Sequence, residues 1–216
     1  MKIVAGRPKI KNLLSRAVSN VIVKSHLERK LNSGEKLRVK FGIDPTAPDI
    51  HLGHTVPLLK LRQFQELGHQ AVLIIGDFTA RIGDPSGRTK MRQPLKESEI
   101  KKNIKKYLEQ AGKIIDIKKT EVHFNSEWFD KMKASDFYKL SAHMSVQQVL
   151  KRADFRKRIA SGQDIVSTEM LYPLFQGYDS VMVRADVEIG GEDQFLNLLA
   201  GRKIQRAHNQ PEQEII

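Results

Sequence analysis

The chain has 216 residues, 40% of them hydrophobic, and a formal net charge of +12 at pH 7. It has no cysteine, which excludes disulfides and thiolate metal sites and fits a reducing compartment. No apolar run approaches the ~20 residues that a membrane-spanning helix needs, so we expect no membrane partner. The start lacks the apolar core of a signal peptide, although its basic, amphipathic pattern leaves an organellar transit peptide open. We expect a cytoplasmic protein with one large domain.

Positive charge is concentrated at the N-terminus. Residues 1–40 hold eleven Lys or Arg and two Glu, a net charge of +9, which leaves +3 of the total of +12 for the other residues. Such a segment can contact nucleic-acid phosphates, or it can be the solvated face of a helix whose apolar side packs inward. Charge alone does not separate these interpretations. We expect residues 1–35 to form a basic helical segment, with a first helix over about 10–32.

Strand and helix signals alternate from residue 36 onward. A strand in KLRVKFGID, a helix over 51–67 and an apolar strand in QAVLIIGD predict one right-handed βαβ unit. The elements predicted after the next Gly- and Pro-rich loop are a helix near 96–112, a short strand in EVHFNSEW, helices near 130–141, 145–160 and 167–182, a strand in ADVEIGG, and a helix over 192–208. This order predicts an α/β fold: a doubly wound, Rossmann-like parallel sheet over 36–216 with a mostly helical insertion at about 90–185.

The stretch DPTAPDIHLGH, residues 44–54, lies where the first predicted strand ends and a helix begins, which is where such sheets bind ligands. His51 and His54 can project from one side of the first helical turn. Gly53 leaves room for a planar base against the backbone, and the helix amides favour phosphate. The stretch suits a nucleoside triphosphate, with two exposed histidines in an ordinary helix start as the alternative. The spacing supports neither a P-loop nor a zinc site.

The second polar stretch is YPLFQGYD. Tyr172, Gln176 and Asp179 are spaced so that they share one stripe of a helix. Polar groups in a row within an otherwise apolar helix are typical of a pocket for a small polar ligand. A solvent-facing stripe is the alternative.

The third stretch is EIGGEDQFLN. Gly190 and Gly191 end a strand and allow a ligand to approach the backbone closely. Asp193 and Gln194 open a helix, where Asp is also common for purely structural reasons.

Four stretches in order, FGIDPTAPDIHLGH, RIGDPSGR, YPLFQGYD and IGGEDQFLN, resemble the bacterial tyrosyl-tRNA synthetases of class I. HLGH is similar to the His-Ile-Gly-His signature of that class, and the resemblance runs from about residue 20 to the end of the chain. It implies ATP-dependent activation of tyrosine, transfer to tRNA(Tyr), Mg²⁺ bound with ATP rather than in a protein cage, and a homodimer in the full-length family. Two alternatives stay open: another nucleotidylyl transferase with a His-x-Gly-His site, and a catalytically inactive tRNA-binding module.

The resemblance also implies roles for the matching residues. The implied catalytic residues, which contact the triphosphate, are His51, His54 and Thr46. The implied ATP-site residues are Asp44, Gly53, Gly190, Gly191 and Asp193, the last at the ribose. The implied tyrosine-site residues are Asp84, Tyr172 and Gln176 for the ammonium, Asp179 for the phenol, and Asn125 and Gln194 elsewhere in the pocket.

Two features depart from the family. Lys40 stands where many members have a tyrosine that helps to hold the substrate phenol, so Asp179 would act without that partner. The second class I signature, Lys-Met-Ser-Lys-Ser, does not occur in the sequence, and KMRQP at 90–94 lies in a different place. We therefore expect an N-terminal fragment that binds tyrosine but activates it poorly.

Overall fold

A parallel β-sheet organises the computed structural model, which describes residue 3, residues 6–86 and residues 95–216. Its strands in the described part are β1 (Arg38–Ile43), β2 (Gln70–Ile75), β3 (Glu121–Phe124), β4 (Val187–Ile189) and β5 (Glu214–Ile215). Their order across the sheet is β3-β2-β1-β4-β5, and every neighbouring pair is parallel. The chain therefore adds strands on one side of β1 and then returns to add strands on the other side.

Helices cover both faces of this sheet. The described α-helices are α1 (Arg7–Leu13), α2 (Lys24–Asn32), α3 (Leu52–Glu66), α4 (Thr79–Ile82), α5 (Glu97–Ala111), α6 (Ser126–Phe129), α7 (Ala134–Ser141), α8 (Val146–Leu150), α9 (Ala153–Ala160), α10 (Ser167–Met182) and α11 (Phe195–Ala207). Leu73 packs in the cluster that includes α1, α2, α3 and α5. Val72 and Ile74 point to the opposite face and pack with Phe175 of α10. The predicted doubly wound α/β fold is confirmed.

The prediction of a single first helix over 10–32 is wrong. The structure has α1 and α2 instead, separated by residues 14–23. Ala17 and Val23 in this connection have φ angles of 51° and 53°, in the left-handed region that a right-handed helix cannot contain. The break allows residues 17–19 to reach the wall of the large cavity described below. Residues 1, 2, 4 and 5 of the predicted basic segment lie outside the described residues.

The range predicted as a helical insertion, about 90–185, contains a strand of the main sheet. Val122 of β3 pairs in parallel with Leu73 of β2, so β3 extends the sheet beyond the βαβ unit. The long helical stretch of this range is 126–182, which comprises α6 to α10. Residues 87–94, which include KMRQP and the end of RIGDPSGR, lie outside the described residues. The boundaries of the insertion stay a prediction.

The strand order places a ligand crevice beside β1 and β4. In a doubly wound sheet, ligands bind beyond the carboxyl ends of the strands at the point where the strand order reverses. Here β1 lies between β2 and β4, so the crevice is expected after Ile43 and Ile189, the last residues of β1 and β4. Across the described ranges of the chain, no helix has the length and apolar character needed to cross a bilayer.

Candidate active site

A cavity of about 860 Å³ lies at the carboxyl ends of β1 and β4. Nearly all the residues predicted for the site line it: Asp44, Thr46, His51, Gly53, His54, Asp84, Tyr172, Gln176, Asp179, Gly190, Gly191, Asp193 and Gln194. Asn125 is the exception, because its side chain is fully buried behind the wall. The segments that follow β1, β2 and β4 meet here because the carboxyl ends of parallel strands lie at one edge of the sheet, and α10 contributes Tyr172, Gln176 and Asp179.

Asp179 is a buried carboxylate in the cavity wall, 4% exposed. Its Oδ1 accepts a hydrogen bond from Trp128 Nε1 at 2.9 Å, and its Oδ2 accepts one from Asn125 Nδ2 at 3.4 Å. Burial raises the pKa of Asp179 to about 7, against the opposing effects of Lys40 and the two hydrogen-bond donors. The carboxylate is thus held in place as an acceptor for a ligand group of matching chemistry.

Tyr172 is oriented by Asp44. The Tyr172 hydroxyl donates to Asp44 Oδ2 at 2.9 Å, while Thr79 Oγ1 donates to Asp44 Oδ1 at 2.8 Å. A Cβ at Gly76 would lie only 1.9 Å from Asp44 Oδ1, so a glycine is required for this approach. Burial, with a smaller contribution from the negative charge of Asp44, raises the pKa of Tyr172 well above its usual value. Tyr172 therefore keeps its proton, which it donates to the hydrogen bond with Asp44, and the phenolic oxygen retains lone pairs as an acceptor.

A directional chain of side-chain amides forms another part of the wall. Gln176 Nε2 donates to Glu188 Oε1 at 3.2 Å, and Gln176 Oε1 accepts from Asn197 Nδ2 at 3.1 Å. Asn197 Nδ2 also donates to Gln194 Oε1 at 2.9 Å, and Gln194 Nε2 donates to Asp84 Oδ2 at 2.7 Å. A carboxylate can only accept, so Glu188 and Asp84 fix the orientation of the amides between them.

His51 and His54 stack at the start of α3, with ring centroids 3.8 Å apart and planes inclined by 21°. A Cβ at Gly53 would lie 3.0 Å from the His51 ring, so glycine gives this ring room over the helix start. The backbone N–H of His51 donates to His54 Nδ1 at 3.2 Å, which places the His54 proton on Nε2. Burial, with a smaller contribution from the charge of His51, lowers the pKa of His54 to about 4. His54 is thus a neutral N–H donor at pH 7.

The segment after β4 completes the cavity. Gly190, Gly191, Asp193 and Gln194 all line it, and the last two belong to a short 3₁₀ helix, Glu192–Gln194, ahead of α11. In the parts of the chain that the structure covers, no three His, Cys, Asp or Glu side chains are grouped to hold a metal ion. His51 and His54, whose ring N–H groups can donate to an anion, line this cavity.

The side chains that hold the predicted site residues in place include four that the sequence did not predict: Thr79, Trp128, Glu188 and Asn197. Asn197 lies in the third quoted stretch, within the apolar start of α11. An Asn in such a position is a usable sequence signal for a buried polar contact, and the structure buries it fully. Glu188 has a similar signal, because a carboxylate within the buried strand Val187–Ile189 needs a partner. Thr79 and Trp128 give no signal of that kind in the sequence.

The chain is similar to known proteins over most of its length. The sequence model of the family described as "tRNA synthetases class I (W and Y)" matches residues 32–216. The chain is 53% identical over 204 residues to the tyrosine–tRNA ligase of Xylella fastidiosa (strain 9a5c), covering 94% of this chain and 49% of that protein. It is 52% identical over 208 residues to that of Dehalococcoides mccartyi (strain ATCC BAA-2266 / KCTC 15142 / 195), covering 96% and 52%. The chain spans about half the length of these curated relatives.

Solved structures share the fold. A C-terminally truncated mitochondrial tyrosyl-tRNA synthetase of Aspergillus nidulans superposes with a TM-score of 0.76 at 26% identity, over 90% of this chain and 59% of that one. The tyrosyl-tRNA synthetase of Archaeoglobus fulgidus complexed with L-tyrosine superposes with a TM-score of 0.77 at 20% identity, over 96% and 62%. The second likeness, at that identity, concerns the fold alone.

Proposed function

The chain belongs to the class I tRNA synthetases of the W and Y group, and on that premise we propose that it activates tyrosine with ATP as part of a tyrosine–tRNA ligase. The observation that carries the proposal is Asp179, a buried carboxylate held by Trp128 and Asn125 at the cavity wall. Such a group accepts a further hydrogen bond from a phenol, whereas an apolar ring desolvates the carboxylate without supplying a donor. Relatives that are 53% identical and named tyrosine–tRNA ligase support the same substrate.

The acceptors around the cavity suit the ammonium of an amino acid. Tyr172 presents an oxygen whose own proton is committed to Asp44. Gln176 presents a carbonyl oxygen because its NH₂ group faces Glu188, and Asp84 supplies a negative charge. An ammonium has three donors and no acceptor, so these three side chains match it in both charge and hydrogen-bonding sense.

The reaction itself needs little proton chemistry. The carboxylate of tyrosine, already ionised at pH 7, attacks the α-phosphorus of ATP, and the bond to the pyrophosphate group breaks as tyrosyl-adenylate forms. Catalysis therefore depends on positioning and on stabilising the charge that grows on the departing oxygens. Neutral His54, with its proton on Nε2, is a suitable donor for that charge, and His51 stacked on it forms the adjacent wall. Mg²⁺ would accompany ATP, held mainly by phosphate oxygens.

The remaining roles are proposed from the motif resemblance and from the names of the relatives, and not from contacts in the cavity. Thr46 lines the cavity near the start of α3 and is proposed to contact the phosphates, and Asp193 is proposed to contact the ribose. Transfer of the tyrosyl group to tRNA(Tyr), a homodimeric state and a cytoplasmic location are proposed because the curated relatives are bacterial tyrosine–tRNA ligases.

Amino-acid-dependent ATP–pyrophosphate exchange tests this function. It should be measured on this chain and on this chain joined to the remaining half of the Xylella fastidiosa relative, with tyrosine, tryptophan and phenylalanine. Exchange stimulated by tyrosine alone is expected from the joined protein, and only weak exchange is expected from this chain by itself. Stimulation by a small molecule that is not an amino acid would favour another nucleotidylyl transferase. Salt-dependent tRNA binding without any ATP binding would favour an inactive tRNA-binding module.

A further inference from the structure

We propose that the buried pair of Lys40 and Glu188 is a positioning device, which holds the side-chain carbonyl of Gln176 toward the substrate ammonium. The inference rests on the proposed function, because it concerns the same amino-acid pocket. Neither Lys40 nor Glu188 lines the cavity, so both act through Gln176 and not by contact with the substrate.

The pair lies in the centre of the sheet. Lys40 of β1 and Glu188 of β4 are register partners on neighbouring strands, both are 0% exposed, and Nζ lies 2.8 Å from Oε1. Lys40 Nζ also donates to the backbone carbonyl of Gln176 at 2.8 Å and to Ser180 Oγ at 2.7 Å. The three N–H donors of the ammonium thus have three partners, two of them on α10. This geometry ties α10 to the sheet at the turn that carries Gln176.

The charges also decide which way the Gln176 amide faces. A glutamine amide between neutral partners can lie either way round, since its oxygen and nitrogen have nearly the same shape. Here Glu188 Oε1 accepts from Gln176 Nε2 at 3.2 Å, so the carbonyl oxygen must face away from the sheet. On the other side, Arg152 Nη1 donates to Asn197 Oδ1 at 3.1 Å, which turns the Asn197 NH₂ group toward Gln176. Two charged groups therefore enforce one orientation of the amide.

The energetics favour a role of this kind over a purely structural one. Replacing a buried ion pair by well-packed apolar residues often leaves stability unchanged or raises it. If packing were the only role of this position, two apolar residues would stabilise the centre of the sheet as well as Lys40 and Glu188 do. Glu188 Oε2 is also satisfied, by Ser180 Oγ at 3.1 Å and by Gln213 Nε2, so the carboxylate is fixed at both oxygens. Lys40 lies outside the cavity wall, and it therefore replaces the family's tyrosine without taking over a contact to the substrate phenol.

The test compares two ligands that differ only in the ammonium: L-tyrosine and 3-(4-hydroxyphenyl)propionate. Calorimetric titration gives the ratio of their affinities for wild type and for Glu188→Gln, whose neutral amide can donate as well as accept and so frees Gln176 to turn. The ratio should fall by about tenfold or more, the usual worth of a hydrogen bond to a charged group, while the affinity for the propionate is unchanged.

The matched control is Glu169→Gln. Glu169 forms the other ion pair with both side chains deeply buried in the described part of the chain, with Arg158 at 2.7 Å, and neither residue lines the cavity. This variant should lower the melting temperature but keep the ligand ratio of wild type. A merely structural Glu188 would behave in the same way, so an unchanged ratio in Glu188→Gln overturns the inference.

A double variant keeps the test valid if Glu188→Gln does not fold. Lys40→Met combined with Glu188→Met leaves no buried charge unpaired, and it should show the same loss of the ligand ratio. A wild-type ratio in this folded variant also overturns the inference. If wild type itself does not prefer L-tyrosine to the propionate, the proposed function fails, and that result is distinct from a failure of the positioning role alone.

Discussion

The hydroxyl of Tyr172 donates to the carboxylate of Asp44 across 2.9 Å, and this bond makes the tyrosine an acceptor toward the cavity. Removal of the hydroxyl in Tyr172→Phe should lower the affinity for L-tyrosine by about tenfold, because a hydrogen bond to the charged ammonium is lost. The affinity for 3-(4-hydroxyphenyl)propionate, which has no ammonium, should be unchanged. Tyr178→Phe, on the same helix but outside the cavity wall, is the control and should match wild type with both ligands.

Asp179 should decide between tyrosine and phenylalanine. In Asp179→Ala, the preference for tyrosine should fall by about 10- to 100-fold, since phenylalanine then desolvates no carboxylate and tyrosine loses the acceptor for its phenol. Competition binding with both amino acids measures it. Asp186→Ala removes a carboxylate that bonds the backbone N–H of Arg38 away from the cavity, and it should keep the preference. An unchanged preference in Asp179→Ala would remove Asp179 from the role of phenol acceptor.

The pH dependence of tyrosine binding follows from the same group. Burial raises the pKa of Asp179 to about 7, so the empty site carries a proton there below pH 7. A phenol that donates to the carboxylate requires that proton to leave. Tyrosine affinity should therefore fall as the pH drops below 7, approaching about tenfold per unit, and tyrosine binding near pH 7 should release a proton. Calorimetry in buffers of different ionisation enthalpy measures this release. Asp179→Ala should abolish it, and proton release that persists in that variant would contradict the assignment.

His54 should remain neutral with its proton on Nε2. Its Nδ1 accepts the backbone N–H of His51, and its pKa is lowered to about 4. Nitrogen-15 NMR should show this tautomer from pH 8 down to about pH 5, with His54→Asn for assignment. Because the folded state disfavours the proton, His54 should also make the protein less stable as the pH falls from 6.5 toward 4. A pKa near 6.5, or a proton on Nδ1, would be inconsistent with a neutral Nε2–H donor.

The sheet and its main helices follow from patterns that the sequence displays. The run AVLII within QAVLIIGD is continuously apolar, as expected for a strand such as β2 that is buried on both faces. His51 and Asp193 could be expected to converge because they follow β1 and β4, which are neighbours in the sheet and have their carboxyl ends at the same edge. Motif order then supplied the site residues, and all of them except Asn125 line one cavity.

Other features depend on tertiary structure. The break between α1 and α2 rests on left-handed conformations at Ala17 and Val23, and neither residue type signals such a conformation. The Lys40–Glu188 pair depends on β1 and β4 being neighbours in register. No local pattern reveals this arrangement, since the two residues lie far apart in the chain. The sequence predicts a short strand in EVHFNSEW. The local pattern does not show that this strand, β3, pairs with β2.

Calorimetric titration of the 216-residue chain with L-tyrosine, L-tryptophan and L-phenylalanine tests directly whether this cavity is a tyrosine site. Tryptophan is the most informative competitor, because the family includes both W and Y members and an indole N–H could also donate to Asp179. One tyrosine should bind per chain, and tryptophan and phenylalanine should bind more weakly by about tenfold or more. Equal or tighter binding of tryptophan, or no binding of any of the three, would contradict a tyrosine site in this cavity.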